Sequence, residues 1–278
     1  MNTEIISGEF TSATIYTTDN QINWIDPYAV SQITMLCNNK TLAGSRIRIM
    51  PDVHPGKVGT IGFTATVGSQ LMPLLIGIDI GCGMTAARIR KGKKEWQRLD
   101  SVIRENIPSG ASICKMAHPM SAEFDYEKLN CAKHIQPERC DRSLGTLGSG
   151  NHFIEVDSNG EDLYLVIHSG SRHLGKEVPD YYMAEGQKSL KEKEIDLPYE
   201  LTYLEGKMLS DYMHDVGVVQ EYAAQNRQDA LQKLNAILME RQEGARAKQK
   251  NSAWREHTRI IRGNPVRVYE GIEFKRKK

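Results

Sequence analysis

LLIGIDIGCGM (Leu74–Met84) is apolar for most of its length, then sets an aspartate, Asp79, and a cysteine, Cys82, three residues apart among glycines. A buried strand has no use for either group, because a carboxylate taken out of water needs a partner. A divalent cation accepts both and deprotonates the thiol. The stretch therefore reads as a strand that ends in Asp79 and runs into a glycine turn. Glycines permit positive φ and close backbone approach, so the turn can aim carboxylate and thiol at one point. Taken alone, the same residues also fit a buried cysteine beside a turn-forming aspartate.

Three further segments share this pattern of strand or loop end, glycines and ligand-type side chain: MPDVHPGK (50–57), GSGNHFIEV (148–156) and HSGSRHLG (168–175). In the first, Asp52 and His54 form an Asp-x-His pair able to orient an imidazole or support a metal ligand, and Lys57 can meet phosphate. In the second, strand alternation sets Asn151, Phe153 and Glu155 on one side and His152 on the other. The segment can thus offer an imidazole to a metal and an amide and a carboxylate to a substrate. In the third, an apolar strand ends in His168, and Arg172 follows as a fork suited to phosphate oxygens. Each segment has a plain structural reading of its own, such as a hydrogen-bonded core histidine. Four in one chain point to a metal-plus-phosphate site. A thiolate with imidazoles favours zinc. The carboxylate and the phosphate chemistry leave manganese open, and two cations sharing Cys82 would allow in-line displacement at phosphorus.

Around these motifs the chain reads as α+β, with no regular βαβ alternation. ATIYTT and GTIGFTATVG are β-branched and predict strands. Asp26 with Pro27 predicts a helix start over DPYAVSQITMLCNN. KKEWQRLDSVIREN predicts a helix with Trp96, Leu99, Val102 and Ile103 on one face. Residues 119–134 are expected to be helical. GTLGSGNH reads as a loop leading into strands FIEV and LYLVIH, and a mostly helical region from Glu177 to Arg241 breaks near Pro198. There Leu201, Leu204, Met208, Tyr212 and Val219 follow helical spacing and read as packing. RIIRGNPVRVYEGIEF predicts a hairpin around Gly263-Asn264.

The net charge of +1 hides an asymmetry: residues 241–278 carry 12 Lys+Arg against 4 Asp+Glu. The expected division is a domain over 1–240 that carries the metal-plus-phosphate motifs, which the resemblance below makes metal- and nucleotide-binding, and a basic segment over 241–278, which permits a nucleic-acid partner. The 5 cysteines are odd in number and fit no disulfide framework. No signal peptide opens the chain and no apolar run is long enough to span a bilayer, so the expected home is a reducing cytoplasm.

PDVHPGK, GIDIGCGM, GTLGSGNHFIEV and HSGSRHLG, in this order, resemble the RtcB family of RNA ligases, and DYMHDVGVVQEYAAQNR (211–227) is similar to a helix of that family. The resemblance covers roughly residues 40–230. It implies an RtcB-like mixed fold with a strand-rich core around a metal pocket and flanking helices. It implies GTP- and Mn2+-dependent joining of RNA 3′-phosphate or 2′,3′-cyclic phosphate ends to 5′-hydroxyl ends, in tRNA splicing or RNA repair, with a histidine that carries GMP. By the same motifs Asp79, Cys82, His152 and His168 would hold two Mn2+ ions, with Zn2+ the less favoured metal and Cys82 shared. Asn151 and Glu155 would contact the guanylate, Arg172 would anchor phosphate, and Asp52 would orient the nucleophilic histidine. The family's later histidine motifs have no counterpart after Arg227, where the one histidine, His257, stands in WREHTRII without their glycines. Two other readings keep the same pocket: a metal-dependent RNA 3′-end phosphoesterase, and an inactive relative that binds RNA through its basic segment.

Overall fold

The computed structural model describes residues 2–17, 25–89, 95–117, 119, 124–240, 255–261 and 264–272; for 238–240 and the last two ranges it gives the backbone course. The chain divides into two compact units, Met1–Ile78 with Pro179–Met213, and Asp79–Val178 with His214–Lys278. Helix and sheet are mixed without βαβ repetition, as an α+β fold requires. Among the described residues no helix is long and apolar enough to cross a membrane.

The first unit is built on β1 (Asn2–Ser7), β2 (Ser12–Thr17), α1 (Pro27–Cys37), β3 (Ile47–His54) and β4 (Ile61–Ala65), followed by β5 (Gln70–Leu71) and a helical turn, α2 (Pro73–Ile76). Strands β1 to β4 form one sheet in that order, with β2 and β3 parallel and the other pairs antiparallel. Alternation in β2 and β3 sends Ala13, Ile15, Ile47 and Ile49 inward, against Ile33 and Leu36 of α1. Each of those isoleucines is fully buried, which stabilises the unit by about 1.5–3 kcal/mol per side chain. As expected, Asp26 caps α1 by accepting the Tyr28 N–H at 2.7 Å, and Pro27 opens the helix.

The second unit continues with β6 (Gly83–Ile89), α3 (Trp96–Asn106), α4 (Pro137–Ser143), β7 (Phe153–Ser158) and β8 (Leu163–Ser169). Helix α5 (Leu174–Glu192) runs from the second unit's stretch of chain into the first unit's, where β9 (Leu204–Glu205) pairs with β5, and the long helix α6 (Gly206–Glu240) returns the chain to the second. Last come β10 (Arg255–Ile261) and β11 (Asn264–Ile272), the expected hairpin, with Ile261 opposite Asn264. Its strand β11 lies parallel beside β6, completing a five-stranded sheet in the order β10-β11-β6-β8-β7. One face of that sheet packs Ala87, Ile89, Leu165 and Ile167 against Leu99 and Val102 of α3 and Ala230, Leu231 and Leu234 of α6. On the other face, register sets Met84, His168 and Phe153 side by side at one end.

Four sequence expectations need correction. Leu74–Asp79 is not a strand: Pro73 fixes a helical start, and Gly77, at φ 91°, ends the turn after Ile76. Trp96 is 44% exposed while Leu99 and Val102 are buried. Within 119–134, residues 124–134 hold two single-turn 3₁₀ segments, Tyr126–Lys128 and Ala132–His134. There the Asp215 carboxylate accepts the Asn130 and Cys131 N–H groups, drawing them out of helical pairing. Leu201 and Leu204 lie in a 3₁₀ turn and in β9, ahead of α6.

Candidate metal centre

Asp79 and Cys82 occupy a tight turn between α2 and β6, closed by the Cys82 N–H donating to the Asp79 carbonyl at 3.1 Å. Gly81 makes the turn possible. Its φ is +77°, and a Cβ there would lie 2.8 Å from Ala223 Cβ and 3.0 Å from Gln220 Cα on α6. The turn is therefore pressed against the helix. Behind the carboxylate, Gly170 approaches so closely that a Cβ would overlap Asp79. The Ser171 N–H donates to Asp79 Oδ1 at 3.1 Å.

The glycine loop before β7 delivers His152. Its Nδ1–H donates to the Leu147 carbonyl at 2.8 Å, which turns Nε2 toward Asp79 and Cys82. That Nε2 is 2.7 Å from Asp79 Oδ2 and 3.7 Å from Cys82 Sγ. The end of β8 delivers His168, whose Nε2 lies 2.9 Å from the same sulfur. Ligand atoms of Asp79, Cys82 and His152 fall within 4.8 Å of one another, and His168 joins them through the thiol. One carboxylate, one thiol and two imidazoles, one with its tautomer set by a backbone carbonyl, form a donor set that fits divalent cations.

The electrostatics agree with that fit. Burial raises the Cys82 pKa, and the Asp79 carboxylate adds to the effect, so the thiol is pushed up to about 12. Burial works against Asp79 ionising too, but the His152, Cys82 and Ser171 hydrogen bonds hold its pKa below the ordinary carboxylate value. Burial, with His152 and Arg227 nearby, lowers the pKa of His168 and keeps it a neutral imidazole. A cation bound through the Cys82 sulfur would have to displace the thiol proton.

The other predicted residues divide. Asn151 is exposed at the loop just ahead of β7, and Glu155 is exposed on β7 opposite Val166, two positions along from the Phe153–His168 pair. Arg172 is half-buried in a left-handed conformation, φ 53°; its Nε donates to Thr146 Oγ1 and its Nη2 to the Gly110 carbonyl, both at 3.1 Å. His173 is held by Glu177 at 2.7 Å, one turn along the chain. Asp52 and Lys57 belong to the first unit and are exposed, and the His54 Nδ1–H is turned back to the Asp52 carbonyl at 2.8 Å. Sequence reasoning gave no role to Asn226 and Arg227 of α6, yet both are buried and bond the segments that carry the ligands. Their signal was a polar pair, in QNR, on a helix otherwise read for its apolar stripe.

Comparison with known proteins places these motifs. The chain matches the family described as tRNA-splicing ligase RtcB over residues 35–136 and 120–252. It is 32% identical over 205 residues to RNA-splicing ligase RtcB of Escherichia coli (strain K12), covering 65% of this chain and 50% of that protein. Against tRNA-splicing ligase RtcB of Nanoarchaeum equitans it is 24% identical over 237 residues, covering 65% and 49%. RNA-splicing ligase RtcB homolog 1 of Entamoeba histolytica is 22% identical over 254 residues, covering 71% and 48%. The chain spans about half the length of these curated relatives.

Proposed function

The chain belongs to the tRNA-splicing ligase RtcB family, and from that premise we propose that it serves GTP- and Mn2+-dependent joining of RNA 3′-phosphate or 2′,3′-cyclic phosphate ends to 5′-hydroxyl ends. The observation that carries this reading is the meeting of Asp79, Cys82, His152 and His168 from three separate segments. In the proposal these four side chains hold two Mn2+ ions, with Cys82 between them. Held by these residues, divalent cations would supply Lewis-acid polarisation of phosphoryl oxygens and charge compensation. Manganese is preferred to zinc on the family's chemistry, against the softness of the thiolate.

The remaining assignments follow from placement. Asn151 and Glu155 hold the guanylate from the loop and strand that also deliver His152. Arg172 is a preset fork for a phosphate, since Thr146 and Gly110 already fix its plane. Asp52 orients the nucleophilic histidine, and Lys57 contacts the RNA backbone. The basic segment 241–278 adds salt-sensitive attraction to the same polyanion. A reducing cytoplasm suits a site that depends on a free Cys82.

The test uses RNA ends and nucleotide together. The protein is incubated with Mn2+, α-labelled GTP and RNAs bearing the stated ends, then denatured. Label on the protein with joined product supports the ligase reading, and peptide mapping locates the nucleophile. Phosphate released from RNA 3′-ends without GTP would instead establish a phosphoesterase. RNA retained without turnover would establish a binding protein.

A further inference from the structure

We propose that Asn226 and Arg227, consecutive on α6, are positioning residues that lock the ligand-bearing segments into one metal-binding geometry. The inference rests on the metal-centre reading above and concerns two residues at the end of the DYMHDVGVVQEYAAQNR stretch to which that reading gives no role.

The bonds have a common address. Arg227 Nη1 donates to the Gly81 carbonyl at 2.8 Å, one residue before Cys82. The same nitrogen donates to the Ser169 carbonyl at 2.8 Å, one residue after His168. Its Nε reaches Thr85 Oγ1 at 3.3 Å on β6, the strand that follows Cys82. One guanidinium therefore ties the Cys82 turn to the end of β8, and so sets the separation of Cys82 from His168. Being planar and rigid, the guanidinium fixes direction as well as distance.

Asn226 does the same for the other ligands. Its Oδ1 accepts the Thr146 N–H at 3.2 Å, and its Nδ2 donates to the Thr146 carbonyl at 3.2 Å. Thr146 precedes Leu147, whose carbonyl holds the His152 ring. The Asn226 amide nitrogen also meets Ser169 Oγ at 3.0 Å and the Gly170 carbonyl at 3.1 Å. Gly170 is the residue that lies against the Asp79 carboxylate. Ser169 Oγ in turn donates to the Leu147 carbonyl at 2.7 Å, closing the loop between His152 and His168.

Burial makes the arrangement stiff. Asn226 is 0% exposed and Arg227 8%. With no water to substitute, each carbonyl left by a lost donor is an unsatisfied buried group, so the segments must shift to recover a partner. Ordinary core packing could be supplied by apolar side chains at these positions. Two polar side chains whose bonds fall on residues adjoining all four ligands or their holders serve position instead, as outer groups do at metal centres.

The test is Co2+ binding to the intact chain, read by titration and by the thiolate-to-cobalt absorption band, alongside thermal melting. The variants are Arg227→Met, Arg227→Lys and Asn226→Ala, with Val219→Ala as a packing control on the same helix, at a site buried to 0%. Arg227→Met and Asn226→Ala are expected to weaken Co2+ binding by about 10–100-fold and to shift or flatten the band. Arg227→Lys, with one donor head in place of the fork, should lose less. Val219→Ala should lower the melting temperature while its Co2+ affinity and band stay those of the wild type. If Arg227→Met fails to fold, Arg227→Lys decides: wild-type affinity with an unshifted band overturns the proposal. It is equally overturned if Val219→Ala loses affinity in step with its stability. Wild-type protein that binds no Co2+ defeats the metal-centre reading and the clamp with it. Loss of binding in Cys82→Ala, with wild-type binding in all the α6 variants, defeats the clamp alone.

Discussion

The end of β3 in the first unit and the ends of β6 and β8 in the second carry the same kind of sequence. Each has glycines beside aspartate, histidine or cysteine. Their outcomes differ. In the first unit Asp52, His54 and Lys57 are exposed, and the His54 ring bonds its own strand. In the second, Asp79, Cys82, His152 and His168 are drawn together. Behind the second set stand buried polar groups, Thr146, Ser169, Asn226 and Arg227. In the first unit the buried Gln32 holds, among the described residues, only Gly56 of the PDVHPGK loop, its amide donating to the Gly56 carbonyl at 2.7 Å and accepting the Gly56 N–H at 3.1 Å. Ligand-type residues beside glycines come together where buried polar groups tie the several segments that bear them to one another, rather than holding one segment alone.

The largest expected effect separates the two regions outright. Cys82→Ala should weaken Mn2+ or Co2+ binding by more than about 100-fold, since it removes the ligand common to both imidazoles. Asp52→Ala should bind metal as the wild type does and lose RNA joining. Equal loss of metal in both variants, seen by calorimetric titration, would erase the distinction. Next comes a matched glycine pair. Gly170→Ala sets a methyl on the Asp79 carboxylate and should weaken metal binding about tenfold or more. Gly62→Ala, at φ +83° and 3.2 Å from Asp52 Oδ1, should reduce stability by about 1–2 kcal/mol and leave the metal affinity alone.

The pH dependence sharpens the picture further. The Cys82 thiol, raised to about 12 by burial and by Asp79, is protonated near neutrality, so cation binding expels one proton. Asp79, lowered, is already ionised, and His168, lowered, is already neutral, so neither contributes another. Metal affinity should therefore strengthen by about tenfold or more per pH unit from pH 6.5 to 8, with at least the thiol proton released. A slope near zero would mean that sulfur is not a ligand. The smallest effect is local to the first unit. Asp26→Ala removes the cap of α1 and should cost about 1 kcal/mol in chemical denaturation, with no change in metal binding.

Much of this was legible in the sequence. β-Branched runs gave β2 and β4, the runs after the glycine-rich loop gave β7 and β8, Asp26-Pro27 gave the start of α1, and RIIRGNPVRVYEGIEF gave the terminal hairpin. That Asp79, Cys82, His152 and His168 stand together was legible, because a carboxylate and a thiol among glycines, and histidines at a loop end and a strand end, demand an explanation. Two kinds of feature stayed hidden. The run before Asp79 was read as a strand because apolar residues satisfy strand and helix alike, and Pro73 with Gly77 decided the matter locally. Residues 124–134 depend on Asp215, a partner more than eighty positions away in the chain, which no local pattern contains. Asn226 and Arg227 escaped for the same reason: their partners Gly81, Thr146, Ser169 and Gly170 are distant in sequence, and a helical polar pair ordinarily faces water.

The central claim is that Asp79, Cys82, His152 and His168 bind cations together. Anomalous X-ray scattering from crystals grown with Mn2+ addresses it directly. The expected result is anomalous density within bonding distance of Cys82 Sγ, flanked by Asp79 and His152 on one side and His168 on the other. Crystals saturated with Mn2+ that show no such density at Cys82, or show it only at other side chains, would contradict the account.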